Sequence, residues 1–530
     1  MNDRQRVAVV TGGGGGIGAA IAESLGRTGT FVVTVDPLVS VDGSERLPEP
    51  EQTTAGRIVA AGGRARASGT SVTDGAGVRR LFTDLADEFG GLDAVVNIAG
   101  ITRPTSFGKG SDDDWRDILS VHLDGYLNVL TAALPLMAAA GHGHILGVTS
   151  GSGWRSADAG AYGCAKRAVA ALTWQLGRHA PPGVVVNAIS PIAATRMVTA
   201  ALGRAPVRAQ GPAGPATGGL SLDAMPAPED LGPLGAHLVG SSFAACRGRV
   251  LFGGGSEVAV VDEPRLLEVI RGDDVASPAH VLESTTSALS GVEARQATGG
   301  GSNARFGRLF DAKPDAALPD PAIRRCVIAT DRADFSAALG SALAARGVTA
   351  QVVASPAELA ALDAPDAVVV ALTGSSAAGA AGTEWERILA EHDGLAEKIH
   401  ADATWTRTVT DLARSADRAL RLVTVTAAGS AGGRSRAQAA AQLARAGRRA
   451  TGDLVTPFAV STETDCLPIE LVRHLVCSPA AADLAGAELV AGSGWFGLRA
   501  HPHPIGSISF GGPAIPAWFD DVLTEMVAPQ

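Results

Sequence analysis

A chain of 530 residues is too long for one ordinary hydrophobic core, so two or more domains are expected. Hydrophobic residues make up 46% and charged residues 18%, which excludes a disordered chain. The formal charge of −10 offers no electrostatic basis for binding nucleic acid or an anionic membrane, and no apolar run approaches the ~18 residues that span a bilayer.

The first six residues lead straight into a strand-like segment, so no signal peptide is expected and a cytoplasmic location follows. Cys164, Cys246, Cys326, Cys466 and Cys477 are scattered, odd in number and without metal-type spacing, which predicts reduced thiols and no metal site. Val7–Val10 reads as a strand ending in a glycine cluster, followed by a helix over Ile17–Leu25. Further strands are predicted at Phe31–Val35, Ala94–Asn97, Ile145–Val148, Val184–Asn187 and Arg249–Phe252. Apolar strands without polar alternation, spaced by helices, indicate an α/β fold with a doubly wound parallel sheet of Rossmann type, its ligand at the carboxyl ends of the strands. Residues 196–232, rich in Pro, Gly and Ala, are predicted to form a loop over that site. The domains are expected at 1–265 and 322–530, with a linker over 266–321 containing Gly299–Gly301, Pro314, Pro319 and Pro321. The strand pattern then restarts at Cys326–Ala329, Ala350–Val353, Ala367–Val370 and Leu422–Val425, with a helix over 333–346.

Thr11-Gly12-Gly13-Gly14-Gly15-Gly16-Ile17-Gly18 joins the first strand to the first helix. Glycines there let backbone N–H groups and a helix N-terminus approach a pyrophosphate. Asp36 ends the next strand, where a carboxylate accepts from ribose hydroxyls and repels a 2′-phosphate. No Arg or Lys lies within residues 11–18 or just after Asp36, which favours NAD over NADP. The other reading of Asp36 is an ordinary strand-terminal turn residue.

The chain has two tyrosines and four lysines, and Tyr162 and Lys166 stand one helical turn apart on one face. A phenol is a poor base near neutral pH, and an adjacent ammonium favours its phenolate. Ser150, just after the strand Ile145–Val148, could orient a substrate oxygen, although alone it would read as a capping serine.

Together, Thr11-Gly12-x-x-x-Gly16-Ile17-Gly18, Asn97-Ile98-Ala99-Gly100, Ser150, Tyr162-x-x-x-Lys166 and Asn187-Ala188-Ile189-Ser190-Pro191 with Thr195 resemble the short-chain dehydrogenase/reductase family over residues 5–262. The resemblance implies Tyr162 as general acid/base, Lys166 on the nicotinamide ribose and Ser150 orienting the carbonyl. It also implies Val72, Asn97, Ala99 and Gly100 beside the dinucleotide, with Pro191, Ile192 and Thr195 lining the nicotinamide pocket. Three positions depart from the family pattern: Ile98 replaces an asparagine, Ser71 replaces an aspartate, and His122 replaces the helix asparagine of the proton relay. His122 is either a relay member or a satisfied core histidine. Val121-His122-Leu123 and Asn187–Met197 are similar to the (3R)-hydroxyacyl-thioester branch, which points to a 3-oxo/3-hydroxyacyl, polyketide-like or steroid-like substrate, carrier- or CoA-linked. Trp154, Arg155 and Arg196 are expected near it.

The second half contains no tyrosine, and Thr330-Asp331-Arg332 stands where a glycine turn belongs. It reads as a degenerate, non-catalytic reductase-like copy, or else as an unrelated α/β module that binds a carrier. A homodimer containing an internal pseudo-dimer of the two halves is expected. The leading functional reading is an NAD(H)-dependent alcohol/ketone oxidoreductase, and the alternative is a cofactor-binding scaffold or sensor.

Overall fold

The computed structural model describes residues 4–103, 107, 109–154, 160–203, 225–271, 278–296, 305–308, 321, 323–372, 382–463, 465–512 and 514–528. The first half contributes β1 (Val7–Thr11), β2 (Phe31–Val35), β3 (Arg64–Ser68), β4 (Ala94–Asn97), β5 (Gly143–Val148), β6 (Val184–Pro191), β7 (Val250–Gly254) and β8 (Glu257–Asp262). Then come β9 (Leu266–Arg271), β10 (Arg305–Arg308), β11 (Arg325–Thr330), β12 (Thr349–Val352), β13 (Ala367–Ala371) and β14 (Leu420–Ala427). The last four are β15 (Val455–Thr462), β16 (Glu488–Gly492), β17 (Trp495–Arg499) and β18 (His503–Ser509).

These strands form two nine-stranded sheets, ordered β3-β2-β1-β4-β5-β6-β7-β8-β18 and β12-β11-β13-β14-β15-β16-β17-β9-β10. Val7–Val10 are fully buried because helices cover both faces of β1, which is why the run is continuously apolar. The order reverses between β1 and β4, where a doubly wound sheet opens its ligand crevice. The second sheet repeats the plan: β11 lies between β12 and β13, and β16 is followed by an antiparallel β17.

Two boundaries differ from those the composition suggests. The segment expected as a linker holds β9, the Pro278–Gln296 helix and β10, and β9 pairs antiparallel with β17. Leu267, Val269 and Ile270 are buried there, so this stretch is sheet and core rather than tether. Of the linker's glycines and prolines, Pro321 is described, while Gly299–Gly301, Pro314 and Pro319 lie outside the described residues. Conversely, β18 pairs with β8 in the first sheet, and Phe519 and Leu523 of the Phe519–Val527 helix join the core formed by Val10, Ile21 and Leu231. The second sheet thus takes the continuous run β9–β17, and only β18 crosses back to the first.

The halves also share one hydrophobic cluster. Trp115, Leu119, Tyr126, Cys164, Ala168 and Leu172 pack with Ile388, Leu395, Ile399, Ala439 and Leu443 of the second half. The helical stretch Asp112–Ala140 is long and apolar enough to cross a bilayer by length and composition, yet it is mostly buried within this cluster's surroundings. Its apolar character is explained by burial between the two sheets.

Candidate active site

Gly12 has φ +65, and a Cβ on it would lie 2.8 Å from the Ala99 amide nitrogen. A Cβ on Gly18 would lie 2.2 Å from the Gly12 carbonyl oxygen, so the Gly16–Arg27 helix can start this close only with glycine there. Thr11 Oγ1 donates to Asn97 Oδ1 at 2.7 Å and accepts from the Ala99 amide at 3.3 Å, locking the ends of β1 and β4 together. The result is a glycine cradle at the N-terminus of the Gly16–Arg27 helix, a shape that fits a pyrophosphate.

This cradle forms one wall of a cleft of about 600 Å³ at the carboxyl ends of the strands. Gly12, Gly16, Ile17, Asp36, Gly100, His122, Ser150, Tyr162, Lys166, Pro191 and Thr195 all line it. Gly18, Val72, Asn97, Ala99 and Ile192 lie behind the wall. Val72 is buried, with its carbonyl accepting from Asn128, and the Ile192 amide donates to the Gly253 carbonyl. Asp36 Oδ2 accepts from the Gly14 amide at 3.1 Å and Oδ1 from the Leu38 amide at 2.9 Å, which orients the carboxylate at the cleft's edge.

Ser150 follows β5 and lines the same cleft as Tyr162, its hydroxyl near enough to favour the phenolate. Lys166 Nζ donates to the Val148 carbonyl at 3.0 Å and stands 5.6 Å from the Tyr162 ring centroid. Burial holds the lysine well below its ordinary value, at about 7. Burial also raises the Tyr162 phenol, opposed in part by the nearby Ser150 hydroxyl. In this geometry desolvation outweighs the phenolate stabilisation that Tyr-Lys spacing alone would suggest.

His122 sits in a π-helical turn, Ser120–Asp124, with its ring edge-on to Tyr162 at a centroid distance of 5.0 Å. Its Nε2 lies 2.8 Å from the Ile101 carbonyl, while Nδ1 is buried without a hydrogen-bond partner. Burial first, then the charge of Lys166, push the imidazole well below its ordinary value, so the ring is neutral. A Cβ on Gly100 would meet His122 Cε1 at 2.5 Å, which ties glycine at 100 to histidine at 122.

One cleft residue was placed elsewhere by sequence reasoning. Arg196, expected at the substrate, reaches the glycine turn, where its guanidinium lies 3.1 Å from where a Gly15 Cβ would stand. No local signal marks it: residue 196 follows β6, and only the strand order brings that carboxyl end to the same crevice as the turn after β1. Trp154 is instead buried against Trp174 and Phe252, and Arg155 lies outside the described residues. A helix occupies Arg196–Gly203 at the start of the expected loop, and residues 204–224 of that loop lie outside the described residues.

A family model described as short chain dehydrogenase matches residues 6–203. The chain is 37% identical to the short-chain reductase protein NovJ of Streptomyces niveus over 197 residues, which cover 37% of this chain and 72% of that relative. It is 34% identical to peroxisomal multifunctional enzyme A of Dictyostelium discoideum over 37% of this chain and 44% of that protein. It is 33% identical to the peroxisomal hydratase-dehydrogenase-epimerase of Neurospora crassa over 36% of this chain and 21% of that protein. The matched region is thus under half the length of either peroxisomal relative. A solved short chain dehydrogenase from Mycobacterium avium aligns with TM-score 0.42 and 30% identity, covering 54% of this chain and 94% of that one.

Proposed function

The chain belongs to the short-chain dehydrogenase/reductase family, an oxidoreductase class acting on CH–OH groups, and from that premise we propose that it interconverts a secondary alcohol and a ketone using NAD(H). The observation that carries this reading is the meeting of Ser150, Tyr162 and the buried Lys166 on one wall of the cleft, beside the glycine turn. When bound, the nicotinamide accepts the hydride on oxidation and donates it on reduction. Tyr162 Oη gives its proton to the carbonyl oxygen on reduction and takes it from the hydroxyl on oxidation. Ser150 would hold that same oxygen against the phenol, and Lys166, when protonated, would favour the phenolate and help to hold the nicotinamide ribose. Asp36 would hold the adenosine ribose and disfavour a 2′-phosphate, while Arg196 beside Gly15 would balance the pyrophosphate charge. His122, neutral and with a free Nδ1, accepts a hydrogen bond from a water on the proton's path.

The substrate class we favour is a 3-oxo/3-hydroxyacyl thioester, supported by the Val121-His122-Leu123 segment and by similarity to a hydratase-dehydrogenase-epimerase. The second half is a non-catalytic copy whose packing against the Gly160–His179 helix makes an internal pseudo-dimer. The repeated strand order favours this over an unrelated module.

The test is acetoacetyl-CoA reduction followed through NADH and NADPH consumption in wild type and Tyr162→Phe. Turnover that prefers NADH and falls at least about a hundredfold in the variant, with NADH binding retained, is expected. Turnover indifferent to Tyr162 would favour the scaffold or sensor reading.

A further inference from the structure

The turn that follows Ser150 is held from the second half. Residues Gly151–Gly153 form a single 3-10 turn, and the Ser152 amide donates back to Ser150 Oγ at 3.3 Å. The position of Ser152 therefore bears directly on the hydroxyl that shares the cleft wall with Tyr162. Gln442, on the Ala431–Thr451 helix, donates through Nε2 to the Ser152 carbonyl at 3.2 Å. A Cβ on Gly163 would stand 3.0 Å from the Ser152 carbonyl oxygen and 3.1 Å from Gln442 Nε2, so this amide sits where turn and catalytic helix meet. Three residues along the same face, Arg445 donates through Nη1 to the Trp154 carbonyl at 2.8 Å.

A second line of contacts reaches the same turn through Arg167, next to Lys166. Its buried guanidinium points Nη1 at the Gly153 carbonyl, 3.4 Å away, and pairs through Nη2 with Glu488 of β16. Gln438 closes the set, accepting from Arg167 Nε and donating to Glu488 Oε2, each at 2.9 Å. Second-half groups thus anchor the carbonyls at both 152 and 154, and fix the arginine that faces 153.

We propose that Gln442 and Arg445 are positioning residues for the reaction: the non-catalytic half sets the Ser150 hydroxyl by clamping the turn behind it. This rests on the proposed function for its kinetic consequence, while the clamp itself has a reading independent of activity. A hydroxyl displaced by a fraction of an ångström no longer aligns substrate oxygen and phenol, a kind of misplacement that can cost up to about a hundredfold in rate.

The experiment uses full-length Gln442→Met, Arg445→Met and Arg445→Lys. Two measurements are made: deuterium uptake in peptides spanning Ser150–Trp154, and kcat and KM for acetoacetyl-CoA with NADH, alongside Tm and NADH affinity. Both methionine variants should speed exchange in that turn and lower kcat about ten- to a hundredfold, with KM, Tm and NADH affinity little changed. Arg445→Lys, which keeps a donor, should restore most of both. Unchanged exchange in the methionine variants overturns the clamp. Faster exchange with wild-type kcat overturns its link to catalysis. A wild type without Tyr162-dependent turnover refutes the functional reading instead, and exchange still decides the clamp.

Discussion

Replacing Asp124 with asparagine should stabilise the protein at neutral and alkaline pH. Asp124 ends the π-helical turn at the junction of the halves, and its carboxyl is raised from 3.8 to about 6 by burial, then by the charges of Glu397 and Asp393. Because the folded-state value is raised, folding takes up a proton between those two values. Stability therefore falls as pH rises through that window, and the penalty is complete above about 6. At 1.36 kcal/mol per pKa unit the ceiling is about 3 kcal/mol. The side chain is only partly buried, and solvent screening reduces this to ~1–2 kcal/mol. Urea denaturation of wild type and Asp124→Asn at pH 4.5 and pH 8 measures it. The gain should be largest at pH 8 and small at pH 4.5. An equal gain at both, or a loss at pH 8, would refute the reasoning.

Gly18→Ala places a methyl 2.2 Å from the Gly12 carbonyl, so NADH binding measured by fluorescence should fall at least about tenfold. Glu488→Ala strands the fully buried Arg167 guanidinium and should cost ~3–5 kcal/mol in urea denaturation, whereas the double change Arg167→Met with Glu488→Leu should recover most of it. His392 is buried between the Ile388 carbonyl and Ser435 Oγ, and burial lowers it from 6.5 to about 4. The unfolded chain takes that proton first, so stability should drop by about 3 kcal/mol as pH falls through this interval, and His392→Gln should flatten the slope.

What could be read in the sequence was local. The apolar run before the glycine cluster, the acid ending β2, and Tyr162 with Lys166 on one helix face are all short-range signals, and all but the buried strand meet at the cleft. What could not be read was set by distant packing. Spacing brings an ammonium near a phenol, but only the folded surroundings reveal that burial raises the phenol and lowers the lysine. Arg196 reaches Gly15 because two strand ends face one crevice, a relation that composition does not carry. The pairings of β9 and β18 are set in the same way. Leu266–Arg271 and His503–Ser509 are short and lie near glycine- or proline-bearing stretches, and nothing in either names the sheet it joins.

The return of β18 to the first sheet has a consequence for synthesis. On a ribosome the first half emerges early, yet its sheet keeps β8 as an open edge until residues 503–509 arrive. Meanwhile β9, already made, has no β17 to pair with. Open edges of this kind are templates for aggregation. The nascent chain must shield two of them while nearly all of the second half is made, and a message truncated after β17 would yield a reductase half with every cleft residue present and its sheet unfinished.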